Sequence, residues 1–308
     1  MRTVVLLGPQ RLRPTLVEAV DRAGVRGTVA AVTAGWQERE DEIDELSAHL
    51  RRSVVNLRLH RRGEDVLARD PELLLAYGDH LDRRRKMQDL YRIRVGHEKS
   101  SIRDLLDEPI DRELVGPEVD RALAALRALD TEHRSRVRRL EAAFESEWAP
   151  GDRPVVAEHR AEVAETLSRC EALAIAGGHV QVLLDRLRLF RVAEAAGELA
   201  VFAWSAGAMV ACETVVLFHD SPPQGANDEE VLSDGLGLCS GVVALPHAKR
   251  RLALDDAQRV RLLARRFQPA RCFALDEGSL AWCVDDAIEL HAGRELRRDG
   301  SVVVAAAP

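Results

Sequence analysis

The residues best suited to chemistry lie in the stretch Val201-Phe-Ala-Trp-Ser-Ala-Gly-Ala-Met-Val210. An apolar run ends at Trp204, Ser205 follows among small residues, and a helix-compatible segment begins after it. That order is the pattern of a nucleophile elbow: a strand stops, the chain turns sharply, and a serine is presented at the start of a helix. The following helix start offers unpaired N–H groups and partial positive charge where an oxyanion can be held. Ser-Ala-Gly is also an ordinary packing turn, so the rest of the chain has to weigh in. A serine needs a base, and the base is usually oriented by a carboxylate. Three other junctions after apolar runs carry suitable groups: Gly177-Gly178-His179, Pro246-His247 and Asp276-Glu277. Taken singly, His247 reads as a loop histidine and Glu277 as a turn acid. The four junctions together are much harder to obtain by accident.

The elements that must position them follow from periodicity. Short apolar runs at 3–7, 28–33, 53–59, 172–176, 199–204, 242–245 and 272–275 predict strands. Helical spacing predicts helices over 15–23, 38–51, 154–170, from 180 past Leu187, and over 255–266. A helix from Ala208 to Val216 is expected after the elbow, then a polar loop from His219 to Asp234 containing Pro222-Pro223 and Gly225. The runs 280–284, 287–291 and 301–305 read as closing strands, with a hairpin turn at Arg298-Asp299-Gly300. In open α/β sheets ligands gather beyond strand C-termini, which makes Trp36 and Gln37, after the second run, candidates for a substrate pocket. An exposed loop tryptophan is the plainer alternative.

Between 61 and 150 the composition shifts to charged residues with apolar positions on a four-three spacing. Leu74, Tyr77, Leu81, Gln88, Tyr91 and Val95 form one seam, through polar Arg84. Val119, Leu123, Leu126, His133, Val137, Leu140 and Phe144 form the other, through Asp130. This predicts a helical hairpin inserted between strands, with Gly96, Pro109, Gly116 and Pro117 in its link and a short helical piece at 102–106. The polar middles would fix register or mark a place that moves. Arg83 to Lys86 reads as a solvated, salt-bridged face. The expected division is an α/β hydrolytic domain of residues 1–60 and 151–308, with 61–150 as a helical insertion.

These motifs resemble the S51 peptidases, which include aspartyl dipeptidase (peptidase E) and cyanophycinase. The resemblance rests on Ala176-Gly-Gly-His179, Trp204-Ser-Ala-Gly-Ala208, Gly235-Leu-Gly-Leu238 leading to Pro246-His247, and Leu275-Asp-Glu277. It spans roughly 172–284, and residues 1–59 fit the family's first strands. It implies a class I glutamine amidotransferase-like fold: a mostly parallel sheet flanked by helices in flavodoxin-like three layers. By the same resemblance Ser205 is the nucleophile, His247 the general base and Glu277 its orienting acid, with Asp276 as the fallback. The N–H groups of Gly178 and Ala206 would form the oxyanion hole. The implied reaction is hydrolysis of a small peptide or isopeptide through an acyl-enzyme, without metal or cofactor. Three departures bear on specificity. His179 stands where the family usually has Asn or Asp, which implies a different substrate orientation there; His179 and Asp276 are both substrate-binding candidates. Ala248 replaces a frequent aromatic residue, and Lys249-Arg250-Arg251 forms a basic run that would meet an acidic substrate or face solvent. The 61–150 segment has no counterpart in the pattern.

Composition sets outer limits. The 308 residues are 46% hydrophobic with a net charge of -7, which supports a real core and argues against general nucleic-acid binding. Only Lys86, Lys99 and Lys249 are lysines, a codon signature of a GC-rich bacterial genome. The five cysteines are scattered, with no C-x-x-C, and are expected to be reduced core residues of a cytoplasmic protein. No run is long enough for a membrane span or a signal peptide. Two other classes stay open: a catalytically silent scaffold whose insertion binds a partner or ligand, and an α/β-hydrolase esterase using His291. A glutaminase would need a cysteine in place of Ser205. A homodimer through the insertion is the expected assembly.

Overall fold

A computed structural model describes residues 2–219, 227–285 and 287–305. The first half runs β1 (Thr3–Leu7), α1 (Leu16–Arg22), β2 (Val29–Val32), α2 (Asp44–Leu50) and β3 (Val54–Asn56). Three helices follow: α3 (Leu59–Arg69), α4 (Pro71–Asp107) and α5 (Arg112–Trp148). The chain then returns through α6 (Pro154–Ser168), β4 (Ala172–Ile175), α7 (Val180–Leu189) and α8 (Val192–Ala195) to β5 (Ala200–Trp204) and α9 (Ala206–Ala211). The last part comprises β6 (Thr214–His219), β7 (Asn227–Asp234), β8 (Val242–Pro246), α10 (Ala248–Arg251), α11 (Ala257–Arg266), β9 (Arg271–Leu275), β10 (Leu280–Val284), β11 (Ala287–Leu296) and β12 (Val302–Ala305).

The main sheet has the order β3-β2-β4-β5-β1-β10-β11-β9-β8, with β12 on β11. From β3 to β1 all pairs are parallel. Strands β1, β2, β4 and β5 are apolar apart from Thr3 and almost entirely buried, as strands covered on both faces must be. Val5, Leu7 and Phe202 pack under α1 and α2, while Val4, Leu6 and Val201 share a core with α6, α7 and α9. The result is the three-layer, mostly parallel α/β architecture that the resemblance implied.

The closing strands gather the site in an unexpected way. Strand β11 pairs antiparallel with β10 as far as Ala292 and with β9 from Arg294 onward. Gly293, at φ 134, sits between the two partnerships in a conformation that side chains resist. Strands β8 and β9 therefore form a second segment of the sheet, and their C-terminal ends return to the edge where β1, β4 and β5 end.

Several expectations are corrected. The helix after the elbow stops at Ala211, and Thr214–His219 is a strand. Its Thr-Val-Val-Leu-Phe sequence is β-branched and aromatic, and strand propensity prevails over helical spacing. The expected polar loop becomes β7 from Asn227 onward, paired with β6; Pro222-Pro223 and Gly225 lie outside the described residues. The stretch 38–51 is helical only from Asp44, after a 3-10 turn over Ala34–Arg39. Gly96 lies within α4 and Gly116 and Pro117 within α5, so each hairpin helix has 37 residues, about 55 Å long, and the link shrinks to residues 108–111.

The hairpin's polar seam corrects the reading of the Arg83 to Lys86 cluster. His80, Arg84, Gln88, Asp130 and His133 are all buried. Arg84 is thus no part of a solvated face, although Arg85 and Lys86 are, both paired with Asp82. The seam docks on β7 and α11. Arg266 of α11, fully buried, donates to both oxygens of Asp130 at 2.8 Å and to the Tyr91 hydroxyl at 3.0 Å. Tyr91 donates to Asp130 at 2.6 Å and accepts from the Val231 N–H. Gln88 donates to Glu230 of β7 at 2.9 Å. Burial opposes the charge of Arg266, but Asp130 and Tyr91 outweigh it and raise its pKa above the ordinary value.

Candidate active site

Ser205 is the residue between β5 and α9, with φ 52 and ψ -121. Such a backbone is rare for a residue with a side chain and is what a sharp strand-to-helix turn requires. Tightness comes from both sides. A Cβ on Gly177 would lie 2.7 Å from the Ser205 Cβ, and one on Gly207 would lie 2.2 Å from the Ile175 carbonyl oxygen. The motif Ser-Ala-Gly-Ala is small because β4 and its turn press on the elbow.

His247 follows β8 in the left-handed conformation, at φ 58, and its N–H donates to the Leu275 carbonyl at 3.1 Å. That bond joins the ends of β8 and β9. The His247 Nε2 lies 3.3 Å from the Ser205 Oγ. Burial pushes the His247 pKa below the ordinary histidine value; Arg251 and Arg250 push the same way, and Glu277 and Asp276 oppose them. At neutral pH the imidazole is therefore neutral and able to accept a proton.

The acids at the end of β9 divide their work. Asp276 accepts from the Lys249 N–H at 2.8 Å and pairs with Arg294, so its two oxygens hold α10 and β11. Glu277 is half-buried and reaches His247 through charge; among the described residues no hydrogen bond joins them. Neither acid stands in the hydrogen-bonded place behind the imidazole that the motif led one to expect.

Gly178, at φ 112, begins the turn into α7. A Cβ there would sit 2.2 Å from the Gly35 carbonyl oxygen, so only glycine fits. The His179 N–H donates to that same oxygen at 2.7 Å, and the His179 Nδ1 accepts from the Val182 N–H, capping α7. His179 is thus partly occupied in ending the turn. Among the described residues no backbone carbonyl accepts from the N–H of Gly178 or of Ala206. Both residues line one cleft with Ser205.

A cleft of about 600 Å³ opens over Ser205 and His247, bounded also by Gly177, Gly178, Ala206 and Trp36. Trp36 therefore belongs to the pocket. Gln37 does not line it, although its backbone (φ 56, ψ -121) nearly repeats that of Ser205. Sequence reasoning passed over Gln10, Arg11, Glu45, His49 and Met209, which also bound the cleft. Gln10 and Arg11 follow the C-terminus of β1, so the strand-end rule that flagged Trp36 would have found them. Arg251 of the basic run faces the cleft as well. His291 lies in β11 beside Glu289, away from the Ser205 cleft. Among the described residues no group of His, Cys, Asp and Glu side chains is arranged to hold a metal ion.

Fold and site together describe an α/β peptidase. Residues 128–291, more than half of the chain, match the profile of Peptidase family S51, and the chain belongs to that family. Two solved structures align over nearly its whole length. One is a peptidase from an acI-B1 Actinobacterium, 13% identical, covering 99% of this chain and 97% of the other with a TM-score of 0.46. The second, a protein of Listeria monocytogenes EGD-e provisionally named peptidase E, is 11% identical, covers 94% and 98%, and has a TM-score of 0.44. No curated protein matches the sequence. None of the described helices is long and apolar enough to cross a membrane.

Proposed function

We propose that the protein is a serine peptidase that cleaves a small peptide or isopeptide through an acyl-enzyme at Ser205. The observation that carries this reading is the 3.3 Å approach of the His247 Nε2 to the Ser205 Oγ, at the floor of a cleft with two open N–H donors. In the first step the Ser205 oxygen bonds to the scissile carbonyl carbon and its proton passes to the His247 Nε2. The carbonyl oxygen, now negative, accepts from the Gly178 and Ala206 N–H groups. The carbon–nitrogen bond then breaks, and the amine leaves with the proton from His247. Water repeats the sequence and releases the acid. Glu277 stabilises the transient imidazolium by charge. Trp36 borders the substrate, while His179, Gln37 and Asp276 lie outside the cleft lining and act behind it through the turns and loops they stabilise.

In this reading residues 1–60 and 151–308 form the hydrolytic domain and 61–150 is an insertion. Exposed Leu75, Leu90 and Ile93 on α4 support a homodimer through that insertion. Five buried cysteines, none in a disulfide among the described residues, suit a reducing compartment such as the cytoplasm. A silent scaffold is the competing reading, favoured by the lack of a carboxylate hydrogen bond to His247. The test is labelling with a fluorophosphonate. Wild type should label and Ser205→Ala should not; equal labelling of both, or none of either, would sink the peptidase reading. Product analysis on a dipeptide and isopeptide library then identifies the substrate.

A further inference from the structure

Helix α7 carries the oxyanion turn at its N-terminus, and two consecutive residues in its second half are each gripped by a different helix of the 59–148 segment. Arg84 of α4 donates to Asp185 through both terminal nitrogens, Nη1 to Oδ1 at 2.9 Å and Nη2 to Oδ2 at 2.7 Å. Both side chains are about 10% exposed. Gln181, one turn earlier in α7, donates to the same Asp185 Oδ1 at 2.8 Å. Arg84 also donates to Glu141 of α5 at 3.1 Å, so the hairpin's own partner helix steadies the guanidinium. On the next residue, buried Arg186 donates to Glu64 of α3 at 2.7 Å. Gly63 gives that side chain its room: a Cβ there would lie 2.2 Å from the Arg186 Nε.

We infer that Arg84 is a positioning residue for the oxyanion turn, acting through Asp185 and the rigid body of α7. The inference rests on the peptidase reading above. The turn at Gly177-Gly178 has no side chains of its own to lock it. Its placement depends on β4 and Gly35 on one side and on α7 on the other. A planar, two-pronged guanidinium pair fixes direction as well as distance, which a lysine cannot reproduce. Reaction geometry is sensitive to shifts of about 1 Å, so a helix free to slide along its axis would misplace the Gly178 N–H more than Ser205 and His247, which hang on β5 and β8.

The test compares Arg84→Lys, which keeps the charge but loses the fork, with Arg84→Ala and Asp185→Asn. Two measurements are made on the full chain: fluorophosphonate labelling kinetics at Ser205, and hydrogen exchange of the peptide covering 176–183. In variants that keep the wild-type circular dichroism, the maximal labelling rate should fall about ten- to a hundredfold, on the scale of a 1 Å misplacement. Probe affinity and the midpoint of the pH profile should stay put. Arg84→Lys should lie between wild type and Arg84→Ala, and amides of 176–183 should exchange faster. A folded Arg84→Lys and Arg84→Ala that label at the wild-type rate overturn the inference, whatever the exchange shows. If wild type itself does not label, the peptidase reading is what fails, and exchange at 176–183 alone decides whether Arg84 holds the turn.

Discussion

Ser205 and His247 meet through a single hydrogen bond of 3.3 Å, whereas Arg266 makes four of 2.8–3.0 Å inside the hairpin interface. The first pair is partly exposed and keeps N–H donors open around it. The second is sealed, with its donors matched to acceptors on Asp130, Tyr91 and the Glu229 carbonyl. The contrast separates two uses of buried polarity. A group that passes a proton must be free to change partners, and donors awaiting an oxyanion must be unsatisfied beforehand. A group that joins two parts of a chain gains from having every partner fixed.

That contrast can be broken by mutation, beginning where the effect is largest. Ser205→Ala should lower hydrolysis on the order of 10⁶-fold without lowering the melting temperature, measured by steady-state assay and calorimetry. Gly178→Ala should cost on the order of 10²–10³ in labelling rate, because the turn must move off Gly35; a wild-type rate would remove Gly178 from the oxyanion site. Asp130→Ala removes the carboxylate hydrogen-bonded to buried Arg266, leaving only that of Glu229 at 3.7 Å, and should destabilise by about 3–5 kcal/mol in urea titration. The fraction still folded should label at the normal rate.

The next prediction sharpens the comparison through pH. Only the neutral imidazole accepts the serine proton, so the labelling rate should rise with pH and reach half its maximum below 6.5, the ordinary histidine value. Arg251→Ala removes a charge that depresses the His247 pKa, so the midpoint should move up. Glu277→Gln removes one that raises it, and the midpoint should move down. A midpoint indifferent to both would mean that His247 is not the titrating base. At the small end, Lys86→Ala touches only an exposed pair with Asp82 and should leave melting temperature and labelling unchanged.

How far the sequence could be read depends on the kind of signal. Strands such as Val29–Val32 and Ala172–Ile175 are legible because strands buried on both faces must be apolar throughout. The serine, the glycine pair and His247 are legible because chemistry and tight turns restrict residue types at junctions. The strand Thr214–His219 was hidden because its apolar run follows a helix without a break and fits either period. Arg84 was misread for a different reason. A basic cluster looks solvated until its acid, Asp185, arrives from 101 residues away in the chain. Glu277 marks another limit: adjacent acids cannot be assigned separate partners before the ends of β8, β9 and β11 are placed in space.

The backbone of Ser205, at φ 52, has a consequence for finding what this protein acts on. A side chain held in that conformation costs on the order of 1–3 kcal/mol, and glycine there would escape most of it. Ser205→Gly should therefore yield a protein on the order of 1 kcal/mol more stable than wild type once the greater freedom of the unfolded glycine is counted. It would have the cleft intact and no nucleophile to consume what enters. Such a variant is a natural bait, able to hold its cognate peptide uncleaved long enough to be recovered and sequenced.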